Sequence, residues 1–93
     1  MKLTKKQIAA RLADCPGWKS DGTTISRLFT CKSFPDAVAF VTRLAFDAEA
    51  ADHHPDLHVS YKKVTVSWST HSAGGLTDKD FAGAAAADRH VTR

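Results

Sequence analysis

His53, His54 and His71, with Asp80 nine positions beyond the last of them, are the side chains whose types and spacing could move protons. An imidazole has an ordinary pKa of about 6.5, so at neutral pH it serves as either acid or base. Two or three of them converging on one pocket would suit protonation of a leaving hydroxyl and removal of a proton elsewhere, the requirements of a dehydration or an isomerisation. Asp80 could orient one imidazole and raise its basicity, and it could equally complete a helix cap begun by Thr77; the two roles are compatible. Glu49, Asp52 and Asp56 surround His53 and His54 with negative charge, which favours imidazolium and so a general acid. Each group also has a structural explanation. His53 and His54 follow a helix, where they could serve its terminus, and His71 ends the polar row Thr65, Ser67, Ser69, which could simply be a solvated face. A metal site is the second chemical reading, with His53, His54, His58 and His71 as nitrogen donors and Asp52 or Asp80 as carboxylate. The spacing argues against it: no His-x-x-x-His pair sits on a helix, adjacent histidines commonly point apart, and neither cysteine is near. His90, close to the end of the chain, acquires no functional role.

The elements that must position these groups follow from periodicity and capping. Leu57, Val59 and Tyr61 alternate with His58, Ser60 and Lys62, and Val64, Val66 and Trp68 alternate with Thr65, Ser67 and Ser69, the period-2 pattern of two half-buried strands. A two-residue turn at Lys62-Lys63 would set Tyr61 opposite Val64, Val59 opposite Val66 and Leu57 opposite Trp68, and would place His54 across from His71. That extension crosses Pro55, which gives no ladder donor. An earlier hairpin, Trp18 to Ser20 and Thr24 to Lys32, turns at Asp21-Gly22. Thr4 with Gln7, Ser33 with Asp36 and Thr77 with Asp80 predict three helix starts. The first helix runs to about Asp14, the second from about Phe34 to Ala51, and the third follows Gly74-Gly75 through the alanine run 84–87. The resulting order, α-β-β-α-β-β-α, predicts an α+β two-layer sandwich, with three helices on one face of a four-stranded antiparallel sheet. On the middle helix, Val38, Val41, Leu44, Ala45 and Ala48 would face the sheet. Phe46 would project to the opposite side between Ala39 and Ala50, which suggests a helix-to-helix contact between copies of the chain.

With 93 residues, the chain is expected to form one domain over 1–93 and to bury only about 60 to 65 per cent of the surface its unfolded form exposes. Thirteen Lys and Arg against ten Asp and Glu give a net charge of +3, scattered rather than gathered into a stripe, which does not indicate nucleic acid as a partner. No segment approaches the roughly 20 apolar residues of a membrane span, and the start lacks the apolar core of a signal peptide, so a cytoplasmic location is expected. Cys15 and Cys31 are expected to be buried thiols.

Glu49-x-x-x-His53-His54-Pro55, then Tyr61 and Val64, then Trp68-Ser69-Thr70-His71, and finally Gly75-Leu76-Thr77-Asp78-Lys79-Asp80 closely resemble the signature of the pterin-4a-carbinolamine dehydratases. The resemblance implies a hydro-lyase that converts 4a-hydroxytetrahydropterin to quinonoid dihydropterin, recycling the tetrahydrobiopterin cofactor of an aromatic amino acid hydroxylase. It implies no metal or organic cofactor, and a homodimer or homotetramer. Carried over by position, it assigns His53, His54, His71 and Asp80 to catalysis and Glu49, Asp52, Pro55 and Thr70 to substrate binding. Leu57 stands where many members have an aromatic residue, and His58 and Lys62 where many have Asn, departures that bear on pterin side-chain preference more than on reaction type. The rival function is a non-enzymatic oligomeric adaptor or a transcriptional dimerisation cofactor.

Overall fold

A computed structural model describes residues 1–91. The elements are α1 (Lys5–Ala13), β1 (Lys19–Ser20), β2 (Ile25–Thr30), α2 (Phe34–Ala51), β3 (Asp56–Ser60), β4 (Lys63–Trp68) and α3 (Asp78–His90), with a 3-10 turn at His71–Ala73. The expected α+β order is present, and the four strands form one antiparallel sheet in the order β1-β2-β4-β3. α2 carries the chain from β2 to the far edge, and the second hairpin returns it to the centre as β4. This path brings the end of α2, the start of β3 and the end of β4 to one end of the sheet, where Asp56 lies opposite Ser67.

All three anticipated N-caps form. Thr4 and Thr77 make full capping boxes with Gln7 and Asp80, and Ser33 accepts from the Asp36 N–H ahead of Pro35 in the first turn of α2. The Asp21-Gly22 turn is also present, with Gly22 at φ 104° and the Asp21 carboxylate accepting from the N–H groups of Thr23 and Thr24. Those two donors hold the Asp21 carboxyl below its ordinary pKa.

Two expectations need correcting. The turn of the second hairpin is Tyr61-Lys62 rather than Lys62-Lys63, so Val59 faces Val64 and Leu57 faces Val66. Tyr61 takes the left-handed conformation, φ 54°, and the Lys62 carbonyl accepts from the N–H of Cys31, 2.8 Å away, tying the turn to the end of β2. The shift is two residues, so every side chain keeps its face. It does, however, remove the direct pairing of His54 with His71. On α2 the buried set is Ala37, Phe40, Leu44 and Ala48, while Val38 and Ala45 are exposed and Val41 is half-buried. The helix is turned toward Phe40, whose ring meets Phe29 at 5.0 Å between centroids, because burying a phenylalanine removes more apolar area from water than burying a valine.

Ile25, Phe29, Val64, Val66 and Trp68 form the sheet side of the core, opposed by Phe40 and Leu44 of α2, by Ala84 and Ala87 of α3, and by Ile8 of α1. Asp88 closes one border: it accepts from Trp18 Nε1 at 3.1 Å and pairs with Arg27 at 2.9 Å, and that guanidinium also covers the Phe29 ring. Cys31 is buried and Cys15 partly so. No helix is long and apolar enough to cross a membrane.

Candidate functional site

Thr77 begins α3, and its cap places Asp80 in the first turn pointing inward, so a carboxylate with no exposed surface sits beneath the end of β4. A buried charge needs partners, and Asp80 has three. Its Oδ2 accepts from Thr70 Oγ1 at 2.8 Å and from the Thr77 N–H at 3.0 Å, and its Oδ1 is 2.7 Å from His53 Nε2. The hydroxyl protons then have one consistent arrangement. Thr70 spends its proton on Asp80 and so accepts from the Thr77 hydroxyl at 2.8 Å, while Thr77 Oγ1 accepts from the Lys79 N–H. Because a carboxylate only accepts, Nε2 of His53 carries a proton, which leaves Nδ1 as the nitrogen free to exchange one.

α2 delivers the paired histidines by ending sharply. Asp52 takes the left-handed conformation, φ 51°, as C-cap; its N–H and that of His53 both turn back to the last carbonyls of the helix. This reversal separates the neighbours. His53 goes inward, its side chain 11% exposed, and stacks on Trp68 with 5.5 Å between centroids and 18° between planes. His54 turns outward, 58% exposed, and its Nε2 lies 2.7 Å from Glu49 Oε1. Asp52 is exposed and Pro55 half-buried beside them.

His71 follows Thr70 on a loop pinched shut by the Thr70–Gly75 bridge, with Gly74 at φ 72° allowing the turn. Its side chain is exposed and makes no hydrogen bond among the described residues. Thr70 thus links the two halves of the site: its side chain binds Asp80, which holds His53, and its backbone leads into His71. His58 sits mid-strand in β3 opposite Thr65, apart from this network. Among the described residues no group of three or more His, Cys, Asp or Glu is arranged to hold a metal ion.

The structure therefore joins His53, Asp80 and Thr70 in one network, joins Glu49 to His54 in another, and sets Asp52 and Pro55 in the bend between them. Three features escaped the sequence. Trp68 supports His53 as well as filling the core; His90 lies 2.6 Å from Asp47, fastening the end of α3 to α2; and a cleft of ≈ 390 Å³ runs between those helices with His53 in its lining. The His90–Asp47 contact spans 43 positions, so no local pattern could have announced it.

Comparison with known proteins matches residues 1–90 to the model of one family, described as pterin 4 alpha carbinolamine dehydratase. A protein of Roseiflexus castenholzii is 52% identical over 89 residues, 96% of each chain, and one of Chloroflexus aurantiacus 51% identical over 87 residues, 94% of each. Both bear the name "Putative pterin-4-alpha-carbinolamine dehydratase". Among solved structures, a Brucella melitensis protein titled transcriptional coactivator/pterin dehydratase superposes with a TM-score of 0.94 at 31% identity, covering 99% of this chain and 100% of its own. A pterin dehydratase-like RuBisCO assembly factor of the alpha-carboxysome, 19% identical with a TM-score of 0.65, shares the fold over 78% of this chain and 84% of its own.

Proposed function

This chain belongs to the pterin 4 alpha carbinolamine dehydratase family, and on that premise we propose that it dehydrates 4a-hydroxytetrahydropterin to quinonoid dihydropterin by histidine acid–base catalysis. The observation that carries the reading is the buried Asp80–His53 pair, bound through Thr70 to the loop that presents His71. In this account His71, as imidazolium, gives a proton to the 4a-hydroxyl. The C4a–O bond breaks and water leaves. His53 Nδ1 takes the proton from N5, the N5=C4a double bond forms, and no electron is gained or lost overall. Asp80 touches no reacting atom; it is a positioning residue that fixes the His53 tautomer and steadies the cation formed when Nδ1 is protonated, the part a buried aspartate plays toward histidine in hydrolytic triads. His54 and Glu49 hold the pterin at the rim, and Asp52, Pro55 and Thr70 shape the bend that receives it. Confinement between two imidazoles supplies both proton transfers without covalent catalysis.

We read residues 1–93 as one dehydratase domain acting in the cytoplasm, without metal or organic cofactor, in support of an aromatic amino acid hydroxylase. α2 favours self-association: Phe46 is 74% exposed, and Phe34, Val38, Ala39, Ala45 and Ala50 are exposed apolar residues of the same helix. That surface also supports the adaptor reading, and one experiment separates the two. Dehydration is followed in the double variant His53→Ala, His71→Ala alongside sedimentation. The enzyme reading expects wild-type turnover that is lost in the variant with assembly retained; no turnover by the assembled wild type would favour the adaptor, and full turnover in the variant would refute the assigned site.

A further inference from the structure

The cleft beside His53 extends well beyond the proton-transfer groups. Its α2 wall is Ala48, Ala50 and Ala51, and its α3 wall is Ala82, Gly83 and Ala86. The helices are antiparallel across it, since His53 meets Asp80 at one end and Asp47 meets His90 at the other. Lys79 lines the cleft at the His53 end, and Arg89 at the Asp47 end. Arg89 lies nine positions beyond Asp80 on α3, about 13.5 Å at 1.5 Å per residue. Between those ends no lining side chain on either helix extends past Cβ. Asp47 does not neutralise Arg89 closely. His90 takes its Oδ2 at 2.6 Å, whereas Arg89 stands 3.7 Å away with 65% of its side chain exposed.

Trp68 closes the cleft from the sheet side. Trp68 lines the same cleft and is 2% exposed, yet its Nε1 is buried with no hydrogen-bond partner. The ring packs so closely on Gly83 that a Cβ there would stand 2.5 Å from Cε2, so the glycine is what lets α3 approach β4 at the cleft.

We propose that this cleft is a specificity subsite for the pterin's substituent, selecting substrates that carry a long, flat chain ending in a carboxylate. The proposal rests on the dehydratase reading, in which the pterin ring reacts at His53. With the ring there, the substituent runs between the alanine walls, where a planar segment fits and a branched one meets backbone. Its terminal carboxylate reaches Arg89, a charge-assisted contact the guanidinium fork is suited to make. A short substituent would leave the slot hydrated and Arg89 unused.

Isothermal titration with folic acid, which has a flat arm ending in glutamate, and with biopterin, which has a short neutral substituent, tests this. The wild-type protein is expected to bind folic acid about tenfold more tightly, the free energy of one good charge-assisted contact. That ratio is expected to fall toward one in Arg89→Glu. It should fall likewise in Ala82→Leu, where an exposed helix position accepts leucine without disturbing the core while filling the slot. Equal affinities in the wild type, no binding of either pterin, or a preference that survives both substitutions would overturn the subsite. Dehydration of 4a-hydroxytetrahydrobiopterin by the same preparations keeps the two ideas apart: turnover without the affinity preference overturns the subsite and spares the dehydratase, and no turnover by folded protein overturns both.

Discussion

Replacing Asp80 with Asn changes the charge at the centre of the network while nearly preserving its shape. The amide has one acceptor oxygen. Two donors, the Thr70 hydroxyl and the Thr77 N–H, converge on Oδ2, while Oδ1 serves His53 alone. The amide oxygen therefore takes the Oδ2 position, which keeps the cap, and the NH2 group is turned on His53 Nε2. Two donors cannot share that contact, so the imidazole moves its proton to Nδ1 and loses the acceptor that the mechanism uses. A hydrogen bond to a charged partner contributes about 1.5 to 3 kcal/mol, which corresponds to a loss of about 10- to 150-fold in kcat. KM should change less than kcat, because His54, Glu49 and the cleft remain. Stability should fall by only about 1 kcal/mol, because the Thr70 and Thr77 hydrogen bonds survive and the His53 contact re-forms as a neutral one with its direction reversed. Stopped-flow dehydration measured with and without the substitution, beside urea unfolding, gives all three quantities. A folded Asn variant with kcat within about twofold of wild type would refute the claim that Asp80 sets the His53 tautomer.

Other regions give independent checks. Gly83→Ala drives a methyl group into the Trp68 ring and should cost about 1 to 3 kcal/mol, lowering Tm by roughly 5 to 20 °C; an unchanged melting curve would show that the α3–β4 contact has slack. Phe46→Glu places a charge on the exposed apolar side of α2, so the wild type should sediment as an oligomer and the variant as a monomer, and identical sedimentation of the two would remove α2 from the interface. Burial raises the thiol pKa of Cys31, aided by Asp36, and burial followed by the charges of Asp88 and Asp14 raises that of Cys15. A raised pKa means less thiolate at neutral pH, so Ellman's reagent should label both slowly there and faster as pH climbs past the ordinary thiol value of about 8.5; rapid labelling at neutral pH would contradict this.

Local chemistry was legible where one element or one turn decides it. Thr4, Ser33 and Thr77 start their helices, and the bounds of α2 follow from Ser33 at one end and the histidine pair at the other. Alternation gives the second hairpin its faces but not its turn, because it constrains a strand only to shifts of two. What chose among those shifts is the Cys31–Lys62 hydrogen bond to a different strand. On α2, Val38 and Phe40 lie about 200° apart, on opposite flanks of the apolar stripe, and the position of Phe29 across the core decides that the Phe40 flank goes in. The same holds for the site. His53, His54, His71 and Asp80 are candidates by residue type and motif, and the cap that Asp80 makes follows from its spacing to Thr77, whereas its contact with His53 joins positions 27 apart. The inward turn of His53 and outward turn of His54 depend on the left-handed Asp52. The stacking on Trp68, the Asp47–His90 clasp and the alanine cleft exist only once α2 and α3 are packed together.

The most direct test of the account is the rate at which purified protein accelerates loss of the ultraviolet signal of 4a-hydroxytetrahydropterin, measured in parallel with His71→Ala. His71 is exposed and without a hydrogen-bonded side chain among the described residues, so its removal should leave folding intact. The account predicts clear acceleration by the wild type and loss of about 100-fold or more in the variant, the usual scale of a general acid–base group. No acceleration by folded wild-type protein, or equal acceleration by both, would contradict it.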